Sequence, residues 1–301
     1  MFRPDRGWVS LRHQALLLLG IALIQPLIGP GIALAEEETT GNAEEGPSST
    51  EGKETAEAPS PWSATAEIYG FFPLRTTGST TVKGLTADVD LNLEQVLRPL
   101  TMAAYVRGSV EYKRLGLLTD LSYVSVRGEE ATTSPLGRRK LSATLNNIQG
   151  IYDVALRYRF GYREQAIAKG GSFSVIPYAG VRFVDMRYDL SAQFDGPNLS
   201  LSRSRSFGGT VTQPLLGTQA SVFLSPRLRL FARGDLGGFG VNNSDDYSAN
   251  AQVGVGYAVG NNTQLNLSWR YLHLGGTNDQ SPENAYDINQ NGVEMGVKFF
   301  F

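Results

Sequence analysis

The chain has 301 residues, of which 41% are hydrophobic, an ordinary fraction for a folded protein. It contains no cysteine, which excludes a disulfide framework, thiolate chemistry, cysteine-ligated metals and the acylated cysteine of a lipoprotein. The formal net charge of −2 combines a basic start, an acidic stretch and a weakly basic remainder, and it offers no basic patch for nucleic acid.

Residues 1–35 have the pattern of a secretory signal peptide. Three arginines precede an apolar run at 15–28, and Ala33-Leu34-Ala35 provides an A-x-A cleavage site. A membrane-spanning helix is the competing interpretation, but the break at Gln25-Pro26 and the glycines that follow it oppose a continuous helix. We expect export through the Sec machinery and cleavage after Ala35.

Residues 36–61 form an acidic stretch with almost no large apolar side chain. They contain eight Glu against Lys53 alone, together with Thr, Ser, Gly and Pro. Such a stretch cannot bury enough apolar surface to offset the conformational entropy of folding, so we expect a disordered periplasmic tail. A periplasmic contact through 36–61, with peptidoglycan or a partner, is the alternative.

From Trp62 onward the hydrophobic pattern repeats every two residues, which is typical of β-strands. Segment 144–160 is the clearest example, with apolar residues at even positions and Asp153 and Arg157 among the odd ones. Segment 263–274 repeats the pattern. One face of each such strand is therefore apolar and the other is polar or charged.

This alternation predicts an all-β domain at 62–301 with ten strands. They lie near residues 62–74, 101–113, 115–127, 142–160, 173–190, 211–224, 227–239, 247–259, 263–274 and 286–301. Tight turns alternate with longer polar loops at 75–100, 128–141, 191–210, 240–246 and 275–285. Short periplasmic turns and longer outer loops are expected for an outer-membrane barrel, and an even number of strands puts both termini on the periplasmic side.

Eight or twelve strands are the alternatives to ten. Residues 79–91 could form a further strand, but counting it would break the even number, so we assign them to the first outer loop.

Two further features favour a transmembrane antiparallel β-barrel over a soluble sheet with one wet face. Several predicted strands are longer than the usual five or six residues of soluble strands and suit a tilted bilayer crossing. Aromatic residues also form two girdles on the apolar face. These are Trp62, Tyr112, Tyr158, Phe160, Phe173, Tyr257, Phe299 and Phe301 at one end, and Tyr123, Tyr247 and Tyr271 at the other.

Three segments depart from the two-residue period. Residues 92–100 have helical spacing, and Asn92 can cap a helix with Gln95 three residues on. We predict one short loop helix there, packed at the barrel mouth, with a plug that enters the lumen as the alternative. Alternation is also lost after Phe183, which suggests a bulge. The glycine-rich run 234–240 suggests a close backbone approach or a sharp bend.

The last ten residues, Gly292–Phe301, resemble the C-terminal assembly signal of outer-membrane proteins. The resemblance implies recognition by the barrel-assembly machinery. The residues of this signal that alternate outward are Val293, Met295, Val297, Phe299 and Phe301.

Other stretches resemble a family of bacterial outer-membrane β-barrel proteins with largely uncharacterised members. They are Ala179–Phe183, Gly234–Gly240, Gly254–Tyr257 and Trp269–Leu272, and Ala87–Leu97 resembles the first-loop region of that family. The resemblance covers most of Trp62–Phe301. It implies a barrel embedded in outer-membrane lipid and says little about activity.

Catalytic chemistry finds little support in the sequence. The predicted mature chain has one histidine, His273, which we interpret as an interfacial side chain on the lipid-facing register. Outer-membrane lipases use a histidine-activated serine, but Ser268 has the opposite parity. Omptin-like proteases need acidic and histidine groups at the barrel top, and we interpret Asp245 and Asp246 as solvated loop acids. Without metal-ligand spacing or a nucleotide-binding motif, we predict no enzyme activity, no metal and no cofactor.

The main chemical feature is a set of charged side chains that the register turns into the barrel lumen. They are Glu67, Arg107, Glu111, Asp120, Asp153, Arg157, Arg159, Arg182, Arg229, Arg233, Asp235, Arg270, Glu294 and Lys298. Burying any one of them alone would be costly, so they must pair or face water.

Two interpretations of these charges stay open. The first is a ladder of ion pairs that fills a narrow barrel, as side chains do in small barrels. The second is a water-filled pore with a weak preference for anions, because cations exceed anions by eight to six. We therefore expect a non-enzymatic outer-membrane barrel with a structural or surface-interaction role, and a narrow porin-like channel for small solutes, anions among them, is the alternative.

Overall fold

The computed structural model describes residues 60–82, 84–133, 140–195, 200–242, 246–277 and 285–301. The predicted signal peptide at 1–35 lies outside the described residues, as does the predicted tail at 36–61 except for its last two residues. Among the described residues, no helix is both long enough and apolar enough to cross a membrane.

The described chain is almost entirely β-structure, with one short helix. The strands are β1 (Trp62–Val82), β2 (Leu85–Asn92), β3 (Leu100–Tyr112), β4 (Leu115–Thr133), β5 (Lys140–Tyr158), β6 (Phe160–Gly161), β7 (Phe173–Asp195), β8 (Ser200–Phe223), β9 (Leu228–Gly237), β10 (Tyr247–Ala258), β11 (Thr263–Thr277) and β12 (Ala285–Phe300). The helix α1 (Leu93–Leu97) is capped as predicted, with Asn92 and Gln95 exchanging backbone hydrogen bonds in a capping box.

Ten of these strands close into an antiparallel barrel. The ring runs β1, β3, β4, β5, β7, β8, β9, β10, β11 and β12, and it closes because β12 also pairs with β1. Among the described residues, strand β2 pairs with the last part of β1 and β6 pairs with β7, so neither belongs to the ring. The all-β class and the ten-strand ring are therefore confirmed. We call the end of the barrel where β1 begins and β12 finishes the terminal end, and the opposite end the far end.

Several strands extend further toward the far end than predicted. The β4–β5 ladder continues to the pair Thr133–Lys140, and the β7–β8 ladder continues to Asp195–Ser200. The predicted loops at 128–141 and 191–210 were therefore wrong, because most of these residues are strand. Beyond the apolar belt both faces of a strand are wet, so the alternation ends while the backbone ladder continues.

Residues 79–82 and 85–91 are also strand rather than loop. They pair in an antiparallel ladder between the last part of β1 and β2. The assignment to a loop was wrong, but the count of ten was unaffected because β2 lies outside the ring.

The outer surface of the barrel is an apolar belt with aromatic residues at its edge. Ile68, Leu156 and Val253 are about half exposed or more although each is paired with a neighbouring strand on both sides. At the terminal end the rings of Trp62 and Tyr112 lie 4.9 Å apart, and both are exposed. Large apolar side chains gain nothing from exposure to water, so this surface is suited to lipid.

The predicted bulge in β7 is absent. The pairing of β7 with both β5 and β8 is continuous from Val181 to Leu190. Alternation is lost there because the lumen becomes apolar: Val184 and Met186 point inward and are buried. The register does shift elsewhere, between Pro73 and Arg75 in β1 and, in β3, between Leu100 and Met102.

The glycine-rich run 234–240 combines a close approach with a sharp bend. A Cβ atom on Gly237 would lie 2.7 Å from Ser248 Oγ, so the strand needs a glycine there. Gly238, Phe239 and Gly240 then adopt positive φ angles of 90°, 53° and 68°, which end β9 and turn the chain.

The seam between β1 and β12 should tolerate no side chain at Gly292. A Cβ atom there would lie 2.0 Å from Phe72 O and 2.6 Å from Pro73 Cα. We expect Gly292→Ala to destabilise the barrel by about 1–3 kcal/mol, because backbone must move to admit the methyl group. Heat-modifiable gel mobility measures the folded fraction against temperature.

Gly209→Ala is the matched control, because nothing lies within 4 Å of the added Cβ atom. The close-packed seam is contradicted if both variants melt at the same temperature as the parent.

Candidate functional site

Five adjacent strands each place one charged side chain at the same level of the lumen. The ladder opposes Glu67 to Arg107, Arg107 to Asp120, Asp120 to Asp153, and Asp153 to Arg182. Directly opposed side chains have Cβ atoms about 4.5–5.5 Å apart, so the strand register itself brings these charges together. All are buried or nearly so.

The row contains one unfavourable pair, because two aspartates oppose each other. Arg233 reaches them from β9 across the lumen: its Nη1 lies 2.5 Å from Asp120 Oδ2 and its Nη2 lies 3.6 Å from Asp153 Oδ2. Arg107 Nε lies 2.8 Å from the same oxygen of Asp120. Opposed like charges destabilise a sheet, and Arg233 offsets their repulsion.

A second group of contacts joins β5, β7 and β9. Arg182 donates two hydrogen bonds to Asp153, of 2.7 and 2.8 Å, and a third of 2.7 Å to Asp235. The Tyr178 hydroxyl donates to Asp235 over 2.8 Å and accepts from Arg233 Nε over 2.9 Å. Planar guanidinium groups suit such forked contacts with carboxylates.

Glu294 on β12 forms ion pairs with two arginines and accepts a hydrogen bond from a glutamine amide. Arg270 Nη1 lies 2.9 Å from Glu294 Oε2, and Arg107 Nη1 lies 3.4 Å from Oε1. Gln252 donates to the same Oε1 over 2.6 Å. These contacts complete the central network, which we define as Glu67, Arg107, Asp120, Asp153, Arg182, Arg233, Asp235, Arg270 and Glu294.

A smaller terminal network lies nearer the terminal end. Glu111 binds Arg159 Nε at 2.8 Å and Arg157 Nη2 at 3.2 Å. Glu164 then links Arg157, at 2.5 Å, with Lys298, at 2.9 Å. Sequence parity missed Glu164, because it lies in the join between β6 and β7 rather than in a strand.

Glu164 stays ionised in this environment. Burial raises the pKa of its carboxyl, but Lys298 and Arg157 outweigh burial and hold that pKa well below the usual glutamate value.

The segment 162–172 closes the terminal end of the barrel, and we call it the terminal plug. Its Ala166 is fully buried against Ala258 and Phe300. Its backbone also joins the barrel, since Gly171 N donates to Phe223 O over 2.7 Å. The sequence places this join between two predicted strands as no more than a turn, but it packs beneath the lumen.

The far half of the lumen holds an apolar layer, which we call the far seal. Three clusters of inward-facing side chains form it, and Leu100 and Tyr286 each pack against two of them. Its members are Tyr69, Phe71, Val89, Leu91, Val96, Leu100, Ala103, Tyr105, Val124, Val126, Ile151, Val184, Met186, Leu272, Leu274, Tyr286 and Ile288.

Helix α1 contributes to this seal through one residue. Val96 is buried against Val126 and Ile288, both on the inner face of the barrel wall. The helix therefore packs at the mouth, as predicted.

All fourteen predicted lumen charges lie inside the barrel, and thirteen of them form ion pairs. The exception is Arg229. Within the described part of the chain its guanidinium makes no ion pair, and its buried Nε has no hydrogen-bond partner. It lies 5.5 Å from the ring centroid of Phe231 and 6.0 Å from that of Phe300.

The residues considered for catalysis stay apart. His273 lies on the outer face of β11, where its Nδ1 is 3.0 Å from Asn289 Oδ1. Its ring is tilted by 48° against that of Tyr247, with the ring centroids 5.0 Å apart. Ser268 faces the lumen and accepts a hydrogen bond from Gln252. Asp245 lies outside the described residues. The interpretation of Asp246 as a solvated acid was wrong, because its side chain is buried and accepts hydrogen bonds from Gln213 Nε2 and Asn242 Nδ2. Across the part of the chain that the structure describes, no cluster of three His, Asp or Glu side chains could hold a metal ion.

The C-terminal strand that resembles an assembly signal forms half of the closing seam. Val293, Met295, Val297, Phe299 and Phe301 face outward, and Met295 and Phe301 are more than half exposed. Its recognition by the assembly machinery stays a prediction.

No protein-family model matches the sequence, and no curated protein is significantly similar to it. Among solved structures, the outer membrane protease OmpT from Escherichia coli is 10% identical, with a TM-score of 0.51 over 82% of this chain and 99% of that chain. Neisserial surface protein A is 12% identical, covering 80% and 97%, and Ail of Yersinia pestis is 11% identical, covering 80% and 99%; both have a TM-score of 0.27. At 10% identity the likeness to OmpT concerns the fold alone. The chain thus has the fold of an outer-membrane β-barrel.

Removal of Arg233 should destabilise the barrel more than removal of an exposed arginine. Arg233→Met leaves Asp120 and Asp153 opposed without their shared cation, and breaking a buried network typically costs about 3–5 kcal/mol. Thermal unfolding in detergent measures the loss.

Arg187→Met is the matched control, because the Arg187 side chain is 62% exposed in its pair with Asp185. Its expected cost is below about 1 kcal/mol. Equal losses of thermal stability in the two variants would show that the contact of Arg233 with the two aspartates contributes no more than an exposed ion pair.

Glu164→Gln should weaken the terminal plug in a pH-dependent way. A carboxyl with a depressed folded pKa stabilises the fold above its unfolded pKa of about 4.3 and loses this contribution as the pH falls toward the folded value. We therefore expect the variant to melt below the parent at pH 7 and the gap to narrow below about pH 4. A gap that stays constant from neutral to acidic pH would contradict this, and the exposed Glu94→Gln variant provides the control.

Proposed function

We propose that the chain is a non-enzymatic outer-membrane β-barrel with a structural or surface-interaction role. The observation that carries this proposal is the filled lumen, in which terminal plug, ion-pair networks and far seal follow one another. Cavities of about 40 and 10 Å³ lie beside the networks. Such volumes hold a few waters rather than a metabolite, which supports a barrel that acts through its surface.

The proposed location in the outer membrane rests on the barrel wall. Its apolar belt and aromatic edge suit contact with outer-membrane lipid. The signal-like residues 1–35 and the C-terminal strand are consistent with export through the Sec machinery and insertion by the barrel-assembly machinery. We propose no catalytic role, since His273 and Ser268 lie on opposite faces of the wall.

A surface-interaction role is supported by a sheet that projects from the far end. The outer parts of β4, β5, β7 and β8 continue there as four paired strands. In the described part of the chain, residues 200–211 of β8 pair on one side only, and Arg203 and Arg205 on this edge are exposed. An open edge can accept an extended segment of another protein as an added strand.

A narrow channel for small solutes, anions among them, is the second candidate. One observation favours it: the larger cavity is lined by Arg229, Lys298, Arg107 and Arg233, so an anion that entered would meet cations. Conduction would require both the terminal plug and the far seal to move.

Planar-bilayer conductance distinguishes the two candidates. The protein is extracted from the outer membrane of a Gram-negative expression host, and heat-modifiable mobility first verifies that it is folded. We expect no reproducible conductance steps, because the lumen is blocked at three levels. Absence from the outer-membrane fraction would overturn the proposed location.

Reproducible steps with an anion bias would overturn the filled-barrel proposal in favour of the channel. The variants Arg157→Glu and Arg233→Glu then provide the second measurement, since charge reversal in a true conduction path changes ion selectivity. Unchanged selectivity in a conducting variant would assign the current to a leak outside the lumen.

A further inference from the structure

The buried cations inside the barrel are not all paired. Seven of the eight predicted lumen cations form ion pairs with carboxylates. Arg229 is the cation without a carboxylate partner among the described residues. An arginine cannot shed its charge by losing a proton at any ordinary pH, so a buried Arg229 requires a counter-charge from another source.

Other polar atoms near Arg229 also lack partners. The side chains of Arg229, Gln264 and Asn266 are at least nine-tenths buried, and each carries at least one buried polar atom without a hydrogen bond. They lie on one stretch of wall, because Gly256 of β10 is opposed to Arg229 on one side and to Asn266 on the other. Native proteins satisfy most such atoms with protein, water or an ion.

A gap over Gly256 lets these side chains approach one another. A Cβ atom at Gly256 would lie 2.6 Å from Asn266 Oδ1 and 2.8 Å from Gln264 Oε1, so both amides occupy the space that a side chain would fill. The absence of a side chain here therefore builds a polar recess between β9 and β11.

The recess belongs to a cavity of about 40 Å³. Arg229, Lys298, Asn266 and Gln252 line it, together with the carboxylates of Glu67 and Glu164. Both carboxylates already have partners: Glu67 accepts from Asn266 over 2.6 Å, and Glu164 binds Lys298 and Arg157. The volume is enough for one small ion or a few waters.

We propose that this cavity binds a single monovalent inorganic anion of about the size of chloride. Arg229 and Lys298 both line it, and one negative charge would supply the counter-charge that Arg229 lacks. A larger anion does not fit a cavity of about 40 Å³. The site is independent of the proposed surface role, because it needs neither conduction nor a partner.

Anion-dependent stability tests the site. Thermal unfolding of the whole protein is measured in sodium chloride, sodium bromide and sodium gluconate at equal ionic strength. We expect halides to raise the melting temperature in a saturable way, because an anion that binds only the folded state increases the folded-to-unfolded ratio about eleven-fold at ten times its Kd. Gluconate is too large to enter and should not do so.

Arg229→Met should abolish the halide response, while Arg227→Met, an exposed arginine two residues away, should retain it. Identical melting curves in halide and gluconate would overturn the proposal, as would a halide response that survives in Arg229→Met.

Bromide in crystals of the parent protein gives a second measurement that needs no variant. We expect one anomalous peak inside the barrel, in contact with Arg229 and Lys298. A cavity that contains only water in such crystals would overturn the proposal even if Arg229→Met failed to fold.

Discussion

The contact of Arg233 with two opposed aspartates is the interaction on which the interior of this barrel depends. Strand register is fixed by the backbone, and it sets Asp120 directly beside Asp153 on β4 and β5. Neither residue can turn away, because the outer face is the apolar belt. Arg107 and Arg182 on the neighbouring strands each bind one of the aspartates. Arg233 reaches both from the opposite wall, and its Nε donates a hydrogen bond to the Tyr178 hydroxyl. The barrel is thereby braced across its diameter as well as around its wall.

Charge and apolar packing divide the lumen between them along the barrel axis. Ion pairs occupy the middle and the terminal half, where the wall outside is most apolar. The far seal occupies the half where the strands leave the belt. The lumen is therefore charged where the outer surface of the wall is apolar, and it is apolar where the strands extend beyond the apolar belt.

Sequence parity predicted which charges enter the lumen but not which of them meet. Parity is a property of one strand, so it assigned Arg182 and Asp153 to the inner face correctly by geometry alone. The ion-pair partner of each charge depends on the register between strands and on the diameter of the ring. Neither can be predicted from the sequence of a single strand. Glu164 was not predicted as a lumen charge, because it lies between two strands, where no two-residue period assigns a side chain to one face. The far seal explains the loss of alternation after Phe183, because the inward-facing residues of β7 are apolar there. The same pattern in the sequence is also typical of a bulge, which is why a bulge was predicted. The sequence also predicted the far ends of several strands too early. The two-residue hydrophobic period ends where the strand leaves the lipid, whereas backbone hydrogen bonding between the strands continues beyond that point.

The position of Arg233 in the chain ties distant strands to one register. It lies on β9, the seventh strand of the ring, whereas the two aspartates that it contacts lie on the third and fourth. Arg107 and Arg182, on the strands next to these two, each bind one of the aspartates as well. The Arg233 contact differs from theirs because it joins residues 113 positions apart in the sequence. A slip of register in any strand between β5 and β9 would draw Arg233 away from both carboxylates, so one side chain monitors the alignment of nearly half the ring.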